Sequence, residues 1–414
     1  MEHTAIDPIW ASAEHALVTG DANTLDAILR EHGDTLRRGP VQSTWHGGLT
    51  PDYSKGDAEA IILNEHRFES WDDFAAFARA LKDNQSPVAQ FERAVDAIAD
   101  GDIATLERLL RDNPDLVRAC SARSHRSTLL HYVGANGVES FRQRTPKNAV
   151  DVARTLLDAG ADINGTCDAY GGGYTPLGLI ATSIHPANAG VQNDLIALFL
   201  ERGARVGTST EAQDACAAWS GLINDCHANG RPGAAEFLAA RAPAGALDLE
   251  AAAGAGHLDV VKGFFPTSGA PEAPDPKKLI AAFTWACEYG RTEVVEFLLD
   301  QGVDIGAKLR HHGQTGLHWA ALGGHAGTVH ALLRHKPPVN AIDDGFQGTP
   351  LGWALYGWGG GGPKSADRRN YYDVVKQIVD AGGTAPAYWF ADSPTLKKIQ
   401  GDVEMKAAVR SAII

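Results

Sequence analysis

Four groups of residues in this chain have types or spacings that could do chemistry. His311, His312, His318, His325, His330 and His335 fall within one short stretch, and imidazole is a good transition-metal ligand. Two of them share a turn and two an outer helix, so the spacing does not converge them on one ion, and no metal or cofactor is expected. Gly357-Trp358-Gly359-Gly360-Gly361-Gly362-Pro363-Lys364-Ser365 has the glycines of a phosphate loop. Pro363 stands before the lysine and no strand precedes the run, so a flexible loop is the expectation. Cys120, Cys167, Cys216, Cys226 and Cys287 are odd in number and irregularly spaced, which fits reduced thiols. The acid–base candidates are Glu288 or His185 for proton transfer, Tyr289 as an assisting donor, and Arg142 and Arg144 as clamps for an anionic group. Glu288, Arg142 and His185 are far apart in sequence. They act together only if the elements carrying them stack side by side.

Those elements repeat. Trp285, Trp319 and Trp353 are 34 residues apart, within Thr-Trp-Ala-Cys-Glu-Tyr-Gly, His-Trp-Ala-Ala-Leu-Gly-Gly-His and Gly-Trp-Ala-Leu-Tyr-Gly-Trp. A fixed period of this size marks a supersecondary unit that must stack on its neighbours to bury its apolar face. Helix ends are written into each unit. Thr before Pro caps a first turn, where proline's missing N–H costs nothing. Paired Ala lets helices approach, and Gly after a Leu pair stops the second helix in the left-handed region. The helical position of the tryptophans points toward the adjacent repeat, so they read as packing residues.

The sharpest copy, Gly313-Gln314-Thr315-Gly316-Leu317-His318-Trp319-Ala320-Ala321-Leu322-Gly323-Gly324-His325, resembles the ankyrin repeat, as do Gly348-Thr349-Pro350-Leu351, Thr128-Leu129-Leu130-His131 and Thr175-Pro176-Leu177. Weaker units run from Phe91 to Leu110, Leu222 to Leu238, Glu250 to Val261 and Phe283 to Asp304, with a further one from Ile9 to Leu29. The resemblance implies an all-α ankyrin-repeat solenoid of stacked helix–turn–helix units with short β-turn fingers. It also implies that His131, His318 and His325 are structural. Degenerate leading repeats resemble those of a group of bacterial ankyrin-repeat proteins. Expected divisions are an N-terminal helical cap at 1–90, with helices from Ala58 to His66 and Trp71 to Leu81 after a loop at Trp45-His46-Gly47-Gly48, the repeats at 91–384, and a cap at 385–414 using Leu396, Ile399, Val403 and Met405. Without a linker-like composition, one elongated solenoid is expected.

Three units lengthen the turn between inner and outer helix, at 138–148, 184–193 and 357–370, and such inserts would raise a wall beside the concave groove. Register in the family then places Asn136, Glu288, Tyr289 and Tyr356 on the groove, with Tyr170 and Tyr174 on a finger and Arg142, Arg144 and Trp358 on inserts. The net charge of −14 disfavours nucleic acid and anionic membrane surfaces. Met1-Glu2-His3-Thr4 shows no secretory signal and no apolar run is of membrane length, so a cytoplasmic location is expected. Two functions remain open: a scaffold docking a protein or peptide in the groove, or an enzyme or small-molecule site walled in by the inserts. The residues name no reaction.

Overall fold

The structure is a computed structural model that describes residues 63–64, 66–207, 214–265, 274–308, 313–362, 367–386, 394–410 and 412. The helix within Ile9–Leu29, the loop at Trp45, most of the Ala58–His66 segment, His311, His312 and Pro363–Ser365 lie outside the described residues. The chain divides into two compact units, Met1–Ala212 and Gln213–Ile414. No change in composition marks that division.

In the first unit α1 (Trp71–Leu81) leads into three helix pairs. The inner helices are α2 (Pro87–Asp100), α4 (Leu129–Tyr132) and α6 (Pro176–Thr182). The outer ones are α3 (Ile103–Asp112), α5 (Ala149–Asp158) and α8 (Gln192–Glu201), and a short α7 (Ile184–Ala189) fills the second insert. Inner helices pack on inner and outer on outer, α2 on α4 on α6 and α3 on α5 on α8. The sequence explains the ends: Ser86 caps α2, which has Pro87 in its first turn, and Gly101 closes it at φ 72.

The second unit continues the scheme. Its inner helices are α9 (Ala215–Ala228), α11 (Leu249–Ala255), α13 (Pro276–Glu288), α15 (Gly316–Leu322) and α17 (Pro350–Tyr356). Beside them run α10 (Pro232–Ala239), α12 (Leu258–Lys262), α14 (Thr292–Asp300), α16 (Ala326–Arg334) and α18 (Asn370–Asp380). α19 (Pro394–Gly401) and α20 (Val403–Val409) follow, with α20 packed on α18. Of the residues expected to form a cap, Ile399 and Met405 are buried and Val403 is 87% exposed. Val403 opens α20 beside its Asp402 cap, where the side chain has no facing helix.

Among the described residues the fingers carry only isolated bridges, Cys120 with Thr128 and Cys167 with Tyr174. The third insert departs from the expected flexible loop. Gly357–Gly361 forms a π-helical turn continuing α17, and a Cβ on Gly357 would meet the Tyr371 ring and the Leu322 carbonyl. Tyr371 donates its hydroxyl to Leu322 O at 2.6 Å, which holds the turn against α15.

Leu317 is 1% exposed at the start of α15. Leu317→Ala is expected to cost about 2–5 kcal/mol through lost burial and the cavity left behind. Because repeats stack linearly, the loss should open α15 and α16 before the rest. Denaturant titration with hydrogen exchange checks both, and an unchanged midpoint contradicts the register.

Candidate functional site

The most concentrated chemistry in the first unit is buried. Arg142, from the first insert, pairs with Glu92 and Asp96 on α2 and with Glu139 three residues before it. Arg123, on the finger ahead of α4, pairs with Glu92 at 2.6 Å and Glu139 at 2.5 Å. Both arginines and both glutamates are at most 4% exposed. Arg123 also lies 4.5 Å from the Phe77 ring centroid, so α1 is tied to the same point by a cation–π contact. Tyr132 donates its hydroxyl to Glu139 at 3.1 Å. Three segments distant in sequence, α2, the finger and the insert, therefore meet through charges.

The electrostatics follow from burial set against pairing. Burial works to raise the Glu92 pKa, but Arg123 and Arg142 outweigh it and hold the carboxyl down at about 2. Glu139 is lowered by the same arginines against its own burial. His125 is pushed down to about 4, chiefly by burial, with Glu139 opposing. The Ser127 N–H donates to His125 Nδ1 at 3.1 Å, so the neutral ring carries its proton on Nε2, which is 3.8 Å from Glu139. An open hollow of about 550 Å³ touches Arg123, with Phe68, Phe77 and Val88 in its wall and Glu69 and Asp73 at its rim. Arg123 is already shared by two carboxylates.

On the finger side of the first unit, Tyr170 donates its hydroxyl to Asn136 Oδ1 at 2.7 Å. Asn136 in turn donates to Thr182 Oγ1 at 3.2 Å. Tyr174 packs edge-on against Tyr170 with centroids 5.6 Å apart. Tyr170 is still 57% exposed.

The second unit presents aromatic rings. Trp319 and Trp353 meet edge-on at 5.6 Å, and Phe346 meets Trp353 at 5.8 Å. The finger carrying Phe346 is set by Asp343, whose fully buried carboxylate accepts from the N–H groups of Gly345, Phe346 and Gly348 and from the Trp353 indole at 3.0 Å. Burial opposes its ionisation, and these donors overcome it, so the Asp343 pKa is lowered. On this finger Phe346 and Ile342 are 56% and 45% exposed, and Tyr356, at the end of α17, is 51% exposed.

The histidines at the repeat positions knit neighbours together. The Thr315 N–H donates to His318 Nδ1, and His318 Nε2 donates to Gly348 O in the next finger at 3.1 Å. His131 does the same with Thr128 and Tyr174 O, and His325 Nε2 bonds Glu288 O at 2.8 Å. A family model described as Ankyrin repeats (3 copies) matches residues 249–343 and 283–385. Over those residues the chain carries ankyrin repeats. The ankyrin repeat domain of human ASB11 is similar at 20% identity, over 67% of this chain and 95% of that one, but at a TM-score of 0.32 the superposition carries no argument. A search of curated proteins finds no match.

Against this ankyrin framework several expected site residues stand elsewhere. Arg142 is not a groove clamp, because burial requires the compensation that Glu92, Asp96 and Glu139 give it. Arg144 is half-exposed and pairs with Asp100 at 2.5 Å, on the same side as α2. Trp358 is 3% exposed, with the Arg368 guanidinium 4.6 Å from its ring, so it packs the third insert and presents no binding surface. Tyr289 gives its hydroxyl to the His227 carbonyl and stacks with Trp285 and His227. Glu288, half-buried, sits beside it at the end of α13 in the second unit. His185 is half-buried in α7 of the first unit. The structure therefore brings together Asn136, Tyr170 and Tyr174, and Arg142 with carboxylates that the sequence reading did not single out. Glu92, Arg123 and Glu139 were missed because charges on different repeats look like solvated surface until the stack is built. Among the described residues no group of three or more His, Cys, Asp or Glu is placed to hold a metal ion, and no helix is long and apolar enough to cross a membrane.

Arg142→Met should destabilise the first unit by about 3–5 kcal/mol, since it leaves buried carboxylates uncompensated. Arg144→Ala, at an exposed pair, should cost under about 1 kcal/mol. Denaturant unfolding separates the two, and equal effects would contradict the burial of the cluster. The pH dependence has a definite sign. His125 and His131 are both held down near 4, below their ordinary 6.5, so the unfolded chain binds more protons between those values. Their contribution is complete above pH 6.5 and is lost as pH falls to 4; that of Glu92 is complete above about 4.5 and is lost as pH falls to about 2. The thermal midpoint should fall on acidification from pH 6.5 to 4, and His125→Phe should flatten that fall.

Proposed function

We propose that the chain is a binding scaffold that docks a protein or peptide on the concave face made by its fingers and inner helices. Residues offered to a partner are Asn136, Tyr170 and Tyr174 in the first unit, and Glu288, Tyr356 and Phe346 in the second. The observation that carries this reading is the Asp343-ordered finger. It holds Phe346 and Ile342 more than two-fifths exposed without leaving the loop free to rearrange. Rigid, exposed aromatics of this kind are what interface hot spots are made of, because little conformational freedom is lost on contact. By contrast, the charges that an enzyme in a walled cleft would use are consumed: Arg142 by three carboxylates and Arg144 by Asp100.

A photocrosslinking residue placed at Phe346 or Tyr356, in extract from the source organism, should give a discrete conjugate. The same residue at Val260, exposed on α12, should give none. For the partner so identified, Phe346→Ala should weaken binding at least about tenfold. Labelling only at Val260, or an affinity indifferent to Phe346, would move the docking surface off the fingers.

A further inference from the structure

Two strained backbone segments face each other in the first unit. Ala135 and Gly137 adopt φ of 48° and 70° on either side of Asn136. Tyr170 adopts φ 53° and is followed by Gly171, Gly172 and Gly173 at 99°, 102° and 82°. Left-handed backbone is uncommon for residues that carry a Cβ, and such strain persists only where surrounding contacts impose it. Ala135 is fully buried and its N–H donates to Tyr132 O, while the Gly172 N–H donates to Ala169 O and the Cys167–Tyr174 bridge closes the finger; on the exposed side the contacts are fewer. The Tyr170 hydroxyl donates to Asn136 Oδ1 at 2.7 Å, the Gly137 N–H faces the same phenol oxygen, and the ring touches Tyr174.

The approach is close enough to require glycine. A Cβ on Gly137 would stand 2.7 Å from the Ala169 Cβ and 3.1 Å from the Tyr170 ring. On the far side a Cβ on Gly171 would meet nothing within 4 Å, and one on Gly172 only Asp168 at 3.8 Å. A side chain more than half exposed is thus held by its hydroxyl end and one ring edge, beside three successive left-handed glycines. Beneath it lie the Asn136 carboxamide and the Thr182 hydroxyl, joined at 3.2 Å.

We propose that Tyr170 is a strap, closed over Asn136 in the unoccupied chain and opening on the Gly171–Gly173 hinge to bare the Asn136 carboxamide. In the open state that group offers Oδ1 as a free acceptor while its amide keeps Thr182, which suits the main-chain N–H of an extended peptide. The purpose of the strap rests on the docking reading, but the strap itself can be tested without a partner. One hydrogen bond of this type biases a two-state equilibrium by about fivefold, so closure is readily reversed.

Hydrogen exchange of the full chain, read across low denaturant concentrations, is the test. Segments 135–138 and 168–173 should exchange through an opening insensitive to denaturant, while α6 should exchange more slowly and through a denaturant-dependent opening. Tyr170→Phe keeps the ring and removes the hydroxyl. It should speed exchange of both segments about fivefold and leave α6 unchanged, and Gly137→Ala should act in the same direction by pushing the ring away. If both segments open only together with α6, or if Tyr170→Phe leaves their exchange unaltered, there is no strap. Either result would leave the photocrosslinking test of docking standing, and a failed crosslink would leave the strap standing.

Discussion

A pair of helices four to fourteen residues long cannot bury its own apolar stripe, and every repeat here exists only by leaning on another. The contacts within each unit follow from that constraint. The inner helices bring Leu129, Leu177, Leu317 and Leu351 to zero or near-zero exposure against their neighbours. The same histidine that caps a repeat's own first turn also donates to the carbonyl of the following finger, His131 to Tyr174 and His318 to Gly348. Cap and inter-repeat bond are one side chain. Register within a repeat and register between repeats are therefore set together, and a helix that starts one residue late would lose both.

The first insert meets the constraint with charge. Glu139 and Arg142 extend the turn beyond α4, and the stack must absorb them. It does so by supplying Glu92 from α2 and Arg123 from the finger, so that each buried charge has at least two partners of opposite sign. Desolvating four ions is costly, and only such multiple pairing offsets it. His125 stays neutral there because burial and Arg123 outweigh the attraction of Glu139. An insert expected to raise a wall beside the groove is thus fixed to the inner helix by its charges.

Much of the fold was legible because local rules and stacking agree. The bounds of α1 match the expected Trp71–Leu81 helix, since Ser70 caps it and apolar spacing holds throughout. Thr175 and Thr349 accept from the N–H groups of Gly178 and Gly352, as Thr before Pro implies. Trp285 and Trp353 are buried between repeats. The site was harder to read. Asn136, Tyr170 and Tyr174 could be placed because family register fixes them relative to Gly, but Arg142 and Trp358 lie in inserts that have no register. Whether an insert side chain turns inward depends on what the neighbouring repeat offers it: Glu92 for Arg142, and the α18 side with Arg368 for Trp358. Sequence spacing contains neither fact.

The recognition chemistry left on the surface differs in how ready it is. In the second unit Asp343 neutralises three main-chain donors and an indole at once, so Phe346 stands in its presenting position before any partner arrives, and binding there spends little on ordering a loop. In the first unit the comparable finger carries Tyr170, whose hydroxyl is already bonded to Asn136. A partner on that face must break this bond and move a ring before it gains a contact, so its apparent affinity is reduced by the fraction of time the strap is closed. The two fingers thus differ in what holds the aromatic: a buried aspartate within the finger itself for Phe346, and Asn136 on the preceding repeat for Tyr170.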